Sequence, residues 1–404
     1  MADIEEAELI AWLTLLQAPR LGSQRITKLL AAFGSAQAAC SAPTSTLRSL
    51  GLSEPMLEVI RAPDQAAIAA ALRWSEHDQA TILTLSDPRY PARLSAISSP
   101  PPLLFVRGDL ALLQEPQLAI VGSRNPTPGG VQTTRAFAAH LAGLGLVITS
   151  GMALGVDAAA HVGALESGRT IAVLGTGPDR VYPAVHRELA RRISAEGALV
   201  TEFPPGVGPQ SSHFPRRNRT ISGLSLGTLV TEAAPRSGSL ITARYAAEQG
   251  REVFAIPGSI HNPLARGCHQ LIREGAKLID SADQLLEELA PQLVSYLAMP
   301  ASEAVTARAA TQPRTPQTGR SLMAASSQTG AGTGAQTGAM AGENGLDADY
   351  RHLLEAMGAD PVATDELVSR TGLSAQEVSS MLLLLELQGH VSCLAGGRYC
   401  RHLG

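Results

Sequence analysis

Three arginines surround one asparagine in the stretch HFPRRNRTISGLS, which places Arg216, Arg217, Asn218 and Arg219 side by side. A guanidinium stays charged at physiological pH and can donate two parallel hydrogen bonds to phosphate oxygens. Several guanidiniums in one short segment suit a chain of phosphates better than a single phosphate. A run of charges is more often a solvated surface, so the surrounding sequence must decide between these two interpretations.

Glycine-rich segments elsewhere in the chain could form a binding surface for the same phosphates. VGSRNPTPGG, TSGMALGVDAAAH and LGTGPD each begin at the end of an apolar stretch and lead into a helical pattern. Glycine lets backbone approach a ligand closely, and a helix start offers free amides with a partial positive charge. The predicted nucleic-acid-binding residues are Gly122, Ser123, Arg124, Ser150, Gly151, Gly155, Gly175, Phe214, Arg216, Arg217, Asn218, Arg219, Ser237, Gly238 and Ser239.

The same segments exclude two common nucleotide sites. No GxxxxGK[ST] motif occurs in the chain, and VGSRNPTPGG does not fit GxGxxG, so a P-loop and a dinucleotide-binding loop are both disfavoured. We expect no cofactor and no catalytic residue. Aromatic residues are only 3% of the chain, and Phe214 and Tyr182, both near strand ends, are the candidates for stacking on bases.

The elements that must position these residues follow from the hydrophobic pattern. Six apolar strands between about 100 and 290 alternate with helical segments, which predicts a parallel sheet covered on both faces, with ligands at the carboxyl edge of the strands. The predicted fold is α/β, with an extended Rossmann-like domain over 81–298. We expect a small helical domain of the SAM or helix-hairpin-helix type over 1–80, a flexible low-complexity linker over 299–346 and a winged helix over 347–404.

Charge limits what each domain can bind. The chain has a formal net charge of −4 over 404 residues, so a polyanion has to be held by a local basic site. From 347 onward, eight Asp and Glu stand against four Arg and no Lys, and the third predicted helix carries Glu377 and Glu386 without a basic residue. This balance favours a protein-binding or structural winged helix. Gly22 and Ser23 precede a helix, as in phosphate-binding hairpins but also as in ordinary helix caps.

The chain closely resembles the DNA-processing protein A family, also called Smf or DprA. The resemblance rests on the order and spacing of GSRNPTPGG, TSGMALGVDAAAH, LGTGPDRVYP, TEFPPG, FPRRNRTISGLS, EAAPRSGSLITARYAAEQGREVFAIPG and GCHQLIREGAKLI. It implies a Rossmann-like domain that binds single-stranded DNA, forms a homodimer and helps to load the RecA recombinase during natural transformation. It also implies DNA contacts at Arg124 and Arg216. The acidic start of the chain and the absence of a long apolar segment add the expectation of a cytoplasmic protein without membrane partners.

Other interpretations remain open at this point. SGLSLGTLVTE resembles the PGGxGTxxE motif of nucleotide phosphoribohydrolases but lacks its PGG turn, which makes Glu232 a weak catalytic candidate and a better arginine partner. The chain could also be an adaptor whose sheet is only a scaffold. His390, Cys393, Cys400 and His402 match no zinc spacing, so no metal is expected. We expect a packing or hydrogen-bonding role for His161 and arginines carried on loops. We do not expect Arg216, Arg217 and Arg219 all to be paired at once with nearby carboxylates such as Glu202 and Glu232.

Overall fold

A computed structural model describes residues 5–297, 348–358, 360–387, 390–394 and 398–401. The chain divides into two compact units, 1–296 and 297–404. The predicted linker over 299–346 and the candidate ligand His402 lie outside the described residues. No described helix combines the length and the apolar character that a membrane crossing requires.

Six short helices form the beginning of the first unit, where the hydrophobic pattern had indicated a small helical domain. Their core continues onto a two-stranded hairpin, since Trp74 packs edge to face against Phe105 with ring centroids 5.7 Å apart. The helical segment is thereby fixed to one end of the sheet. The helices are α1 (Glu6–Gln17), α2 (Ser23–Phe33), α3 (Ala36–Ser41), α4 (Thr44–Ser49), α5 (Glu54–Arg61) and α6 (Gln65–Ser75).

A nine-stranded sheet forms the centre of this unit. Its order is β1-β2-β6-β5-β4-β3-β7-β8-β9, with β3 to β9 parallel to one another and β1 and β2 antiparallel at the edge. The six predicted strands correspond to β3 to β8; the pattern did not indicate β1, β2 or β9. The strands are β1 (Ala80–Thr84), β2 (Leu103–Gly108), β3 (Gln117–Val121), β4 (Val147–Ser150), β5 (Thr170–Val173), β6 (Ala198–Thr201), β7 (Gly227–Val230), β8 (Glu252–Ala255) and β9 (Lys277–Leu278).

Helices cover both faces of the sheet because successive strand residues point to opposite sides. In β3, Ala119 faces a core shared with Ile221, while Leu118 and Ile120 face a core shared with Leu141. The covering helices are α7 (Ala92–Ser95), α8 (Pro128–Gly143), α9 (Val156–Ser167), α10 (Arg187–Glu196), α11 (His213–Leu224), α12 (Ser239–Glu248), α13 (Arg266–Arg273) and α14 (Ala282–Leu297). Two short 3-10 helices, Leu110–Leu113 and Ala184–His186, complete this unit.

The strand order reverses between β3 and β7. From β3 the chain continues to β4, β5 and β6 on one side, and it returns to add β7, β8 and β9 on the other. Open parallel sheets bind ligands at such a reversal, outside the carboxyl ends of the strands. The Rossmann-like prediction is thereby confirmed, and the crevice lies where the glycine-rich segments begin.

The second unit is a winged helix, as its element pattern predicted. Three helices, Ala348–Met357, Thr364–Thr371 and Ala375–Leu387, precede a hairpin of Val391–Leu394 and Arg398–Arg401. A short strand, Val362–Ala363, joins the hairpin to form a three-stranded sheet. Glu377 lies in the first turn of the third helix and accepts hydrogen bonds from the backbone and hydroxyl of Ser374, so this glutamate caps the helix.

Candidate functional site

The arginine-rich segment is a helix, which corrects the prediction that its arginines lie on loops. It forms α11, and its buried residues include His213, Arg217, Ile221 and Leu224. These positions recur at the three- and four-residue spacing of one helix face. The polar letters of HFPRRNRTISGLS hide this stripe, because two of its four members are His and Arg.

Arg217 points inward and does not line the surface, contrary to the prediction that it contacts nucleic acid. Its side chain is only 7% exposed, and its Nη1 lies 3.4 Å from Oδ2 of Asp157. Burial lowers the pKa of the Arg217 guanidinium, and the Asp157 charge opposes that effect. A Cβ on Gly151 would lie 1.2 Å from the same Nη1, so Gly151 makes room for Arg217, not for a ligand.

Arg216 and Arg219 share one carboxylate. Their Nη2 atoms lie 2.9 Å and 3.4 Å from Oε2 of Glu202, a side chain that is 2% exposed. All three arginines of the segment are therefore paired, and the expectation that this would not occur at once is wrong. The cluster of Arg216, Arg219 and Glu202 still carries one net positive charge, and the Arg216 side chain is 49% exposed.

Glu232, the other proposed arginine partner, has a different role. Its carboxylate accepts hydrogen bonds from the backbone and hydroxyl of Thr127, both at 2.8 Å, and from Nδ2 of Asn262 at 3.3 Å. Thr127 is the N-cap of α8, so Glu232 supplies a negative charge where the helix dipole favours one. The interpretation of Glu232 as an arginine partner is wrong. Both of its carboxylate oxygens accept hydrogen bonds from Thr127 at the start of α8.

Three other predicted contact residues make hydrogen bonds or close backbone contacts within the protein. Ser150 is fully buried and its hydroxyl donates to the carbonyl of Ile120 at 2.6 Å. Ser239 is buried, and its amide donates to the Ser237 hydroxyl at 3.3 Å. Gly155, at φ +78°, lets α9 begin against the carbonyl of Ser123, which a Cβ would approach to 2.4 Å. These contacts within the protein shape the crevice, and a contact of the three residues with nucleic acid stays a prediction.

Gly122 serves the same close packing, because a Cβ there would lie 2.8 Å from the carbonyl of Glu232. The adjacent Ser123 amide donates to that carbonyl at 2.6 Å. In α11, Asn218 donates to the carbonyl of Gly238 at 3.3 Å. Gly238 is exposed at the start of α12, so Asn218 joins α11 to the loop after β7.

An arginine and two aromatic rings lie next to one another at the crevice, where Arg124 and Tyr182 are exposed and Phe214 is half-buried. The guanidinium carbon of Arg124 lies 5.6 Å from the centroid of the Phe214 ring, and the Tyr182 ring lies 6.0 Å from the same ring. Gly175 lies beneath Phe214, because a Cβ on it would approach the ring to 3.3 Å. Arg124 is exposed and makes no ion pair with the described residues. We call Arg124, Phe214 and Tyr182 the arginine–aromatic cluster.

The N-terminal helices reach the arginines through one loop. Ser99 receives a hydrogen bond from Nη1 of Arg219 at 3.2 Å, and its hydroxyl lies 3.3 Å from that of Ser23 at the start of α2. Ser23 is buried, so this helix start faces protein and the alternative of a DNA-contacting hairpin loses its support. Sequence spacing gave no sign of this contact, because Ser23 and Ser99 are 76 residues apart.

His161 has the packing role that the sequence indicated. It is fully buried, with Nδ1 2.7 Å from the Thr170 hydroxyl and Nε2 2.5 Å from the carbonyl of Gly151. A carbonyl only accepts, so Nε2 carries a hydrogen atom. Burial is the main cause that lowers the pKa of His161 to about 4. The imidazole is therefore neutral near pH 7.

This pKa predicts acid sensitivity of the fold. An unfolded chain binds a proton at His161 near pH 6.5 and the folded chain only near pH 4, so the stabilising effect is present above pH 6.5 and is lost as the pH falls through this window. We expect wild-type protein to lose about 2 kcal/mol more than His161→Gln between pH 7 and pH 5. Urea unfolding of both proteins at each pH measures this; equal losses would contradict it.

Comparisons with known proteins agree on one family. Residues 81–290 match the family model described as DNA recombination-mediator protein A. Residues 5–73 match the SMF/DprA SAM domain, and residues 338–397 match the DprA winged helix domain. The three matched segments follow the order of the helical, sheet and winged-helix elements.

Individual relatives extend over most of the chain. Protein Smf of Synechocystis sp. is 40% identical over 333 residues, which cover 81% of this chain and 82% of that protein. DNA processing protein DprA of Streptococcus pneumoniae is 48% identical over 206 residues, covering 51% of this chain and 73% of that protein. The X-ray structure of DprA from Streptococcus pneumoniae aligns with a TM-score of 0.62 at 38% identity, covering 71% of this chain and 99% of that one.

Proposed function

The chain belongs to the DNA recombination-mediator protein A family, and from that membership we propose that it binds single-stranded DNA through the arginine–aromatic cluster and Arg216. In this proposal the bound strand is protected and prepared for recombination during natural transformation. No catalytic step and no cofactor are assigned. The proposed site also includes the predicted residues Ser123, Gly175, Asn218, Arg219, Ser237 and Gly238.

The observation that carries the proposal is the cluster itself. The guanidinium of Arg124, which makes no ion pair with the described residues, lies 5.6 Å from the centroid of the Phe214 ring. The Tyr182 side chain is 50% exposed, and its ring lies next to that of Phe214. A phosphate can bind the cation while the adjacent base stacks on a ring, which is how sequence-tolerant sites hold an unpaired strand. Bases in a duplex already stack on each other, so the rings favour single-stranded DNA.

Charge around the cluster supports a polyanionic ligand. Arg124 adds one positive charge, and the group of Arg216, Arg219 and Glu202 adds another, while Arg217 and Asp157 cancel. The site is thus locally positive in a chain of net charge −4. Binding therefore depends on these few groups and not on general attraction.

A direct titration tests the proposed function. Fluorescence anisotropy with a labelled oligothymidylate and with a duplex of equal length should give tighter binding to the single strand. The logarithm of the affinity should fall with the logarithm of salt with a slope of about 0.7 for each phosphate contact. Equal affinity for duplex and single strand, or binding that is indifferent to salt, would refute the proposal.

Two partners belong to the proposal because the family resemblance implies them. We include loading of RecA and a homodimer through the Rossmann-like domain, with action in the cytoplasm where incoming strands meet the recombinase. Leu278 on the edge strand β9 and Val294 on α14 are exposed apolar residues at one end of the sheet, which supports a self-association surface there. Sedimentation velocity of the chain alone and with RecA tests both; a monomer that does not bind RecA would remove them.

A further inference from the structure

A groove beside Tyr182 carries basic residues that the proposed site does not include. It is a cavity of about 450 Å³ between the loops that follow β5 and β6, lined by Asp179, Arg180, Tyr182, Arg187 and Pro209 among others. The sequence places Arg180 and Arg187 in LGTGPDRVYPAVHR. They lie at the same carboxyl edge of the sheet as the arginine–aromatic cluster.

The groove has a net positive charge. Arg187 is exposed and makes no ion pair with the described residues. Arg180 lies 3.6 Å from Oδ2 of Asp179, whose other oxygen accepts a hydrogen bond from the Gly206 amide at 2.9 Å. The groove therefore has one carboxylate and two guanidiniums in its lining, which leaves one positive charge for an anionic ligand.

The groove walls are held together by hydrogen bonds between the two loops. The Gly177 amide donates to the Val207 carbonyl at 2.9 Å, in addition to the contact of Gly206 with Asp179. The Thr176 hydroxyl donates to the carbonyl of Arg180 at 2.8 Å and fixes the backbone that carries this arginine. A site whose walls are already in place loses little entropy when a ligand binds.

Tyr182 joins the groove to the arginine–aromatic cluster. Its ring lines the groove and lies 6.0 Å from the ring of Phe214, which is in turn next to Arg124. Two neighbouring aromatic rings, Phe214 and Tyr182, thus lie between one cation, Arg124, and two others, Arg180 and Arg187. A single strand of more than one nucleotide could place bases on the rings and phosphates at both ends of this path, whereas a free mononucleotide would use only part of it.

We propose that the single strand bound at the arginine–aromatic cluster continues past Tyr182 into the groove, where Arg180 and Arg187 hold additional phosphates. The proposal rests on the proposed function and extends its site from the end of β3 toward the ends of β5 and β6. It makes affinity depend on strand length, because a short strand fills the cluster alone and a longer strand also fills the groove.

Oligonucleotides of two lengths test this extension. We choose labelled oligothymidylates of about 6 and about 20 nucleotides, which bracket the sizes that single domains commonly bind. The double variant Arg180→Ala/Arg187→Ala should bind the longer strand about tenfold more weakly, as expected for loss of one or two charge-assisted contacts. Its affinity for the shorter strand should stay unchanged, and its salt slope should fall by about 0.7 for each lost phosphate.

Arg192→Ala is the matched control for charge. Arg192 lies on α10 with Arg187, is paired with Glu196 and does not line the groove, so its loss should leave both affinities unchanged. Wild-type affinity of the double variant for the longer strand overturns the extension, and so does an equal loss for both lengths. If wild-type protein binds neither strand, the proposed function fails together with the extension; if only Arg124→Ala weakens binding, the extension alone fails.

Discussion

Arg124→Ala is expected to weaken binding of single-stranded DNA by about 10- to 50-fold, equivalent to about 1.4–2.3 kcal/mol. Arg124 is the exposed cation of the arginine–aromatic cluster, and its loss removes a phosphate contact while the rings remain. Because its guanidinium contacts the Phe214 ring and forms no ion pair with the described residues, no carboxylate is left uncompensated. Anisotropy titrations at matched salt measure the change in affinity.

The control for Arg124→Ala separates a lost contact from a lost charge. Arg192→Ala removes one exposed positive charge from α10 and should bind DNA like wild-type protein. Thermal unfolding of Arg124→Ala should match wild type, since exposed substitutions away from buried groups change stability little. Unchanged affinity in Arg124→Ala, with a normal wild-type titration, would exclude the cluster as the strand-binding site.

Arg217→Leu is expected to lower the free energy of unfolding by about 3–5 kcal/mol, the usual effect of removing one partner from a buried ion pair. The substitution leaves the Asp157 carboxylate buried, with the Ala153 amide at 3.3 Å as a hydrogen-bond donor. Urea unfolding at pH 7 measures the loss. The effect concerns the fold, because the Arg217 side chain is inside it.

A second substitution tests the cause of this loss. Arg217→Leu/Asp157→Asn removes the unpaired charge as well as the guanidinium, so it should recover part of the stability. A loss below about 1 kcal/mol in Arg217→Leu would be typical of an exposed pair and would contradict the buried geometry. Equal stability of the single and double variants would show that the unpaired Asp157 carboxylate is not the cause of the loss of stability.

The sequence predicted the sheet well because its parallel strands are buried on both faces. Such strands appear as short, nearly continuous apolar runs, and all six runs became strands. The strands β1 and β2 were not predicted, because they form an antiparallel hairpin that lies outside the alternation of strands and helices. Ile82, Leu103 and Phe105 of this hairpin pack on the N-terminal helices, and Leu83, Leu104 and Val106 pack on the core of the sheet. The two-residue strand β9 is too short to give a pattern of its own.

The site was predicted less completely, because its ion pairs and hydrogen bonds join residues that are distant in sequence. Arg217 and Asp157 are 60 residues apart, and Glu232 and Thr127 are 105 apart. Residue type alone therefore marked Arg217 as a phosphate ligand and Glu232 as an arginine partner. The apolar residues Ile221 and Leu224 lie four and seven residues after Arg217, and this helical spacing was a signal that could have shown which arginine faces inward.

In the proposed site, the position of Glu202 between two guanidiniums would affect how easily a bound strand leaves. If a phosphate drew Arg216 away from this carboxylate, Arg219, whose Nη2 lies 3.4 Å from it, would remain as its counterion. The strand could then bind and leave without exposing the buried Glu202 carboxylate as an unpaired charge. Such an arrangement would lower the barrier for exchange and allow quick transfer of the strand to a protein that competes for the same phosphates.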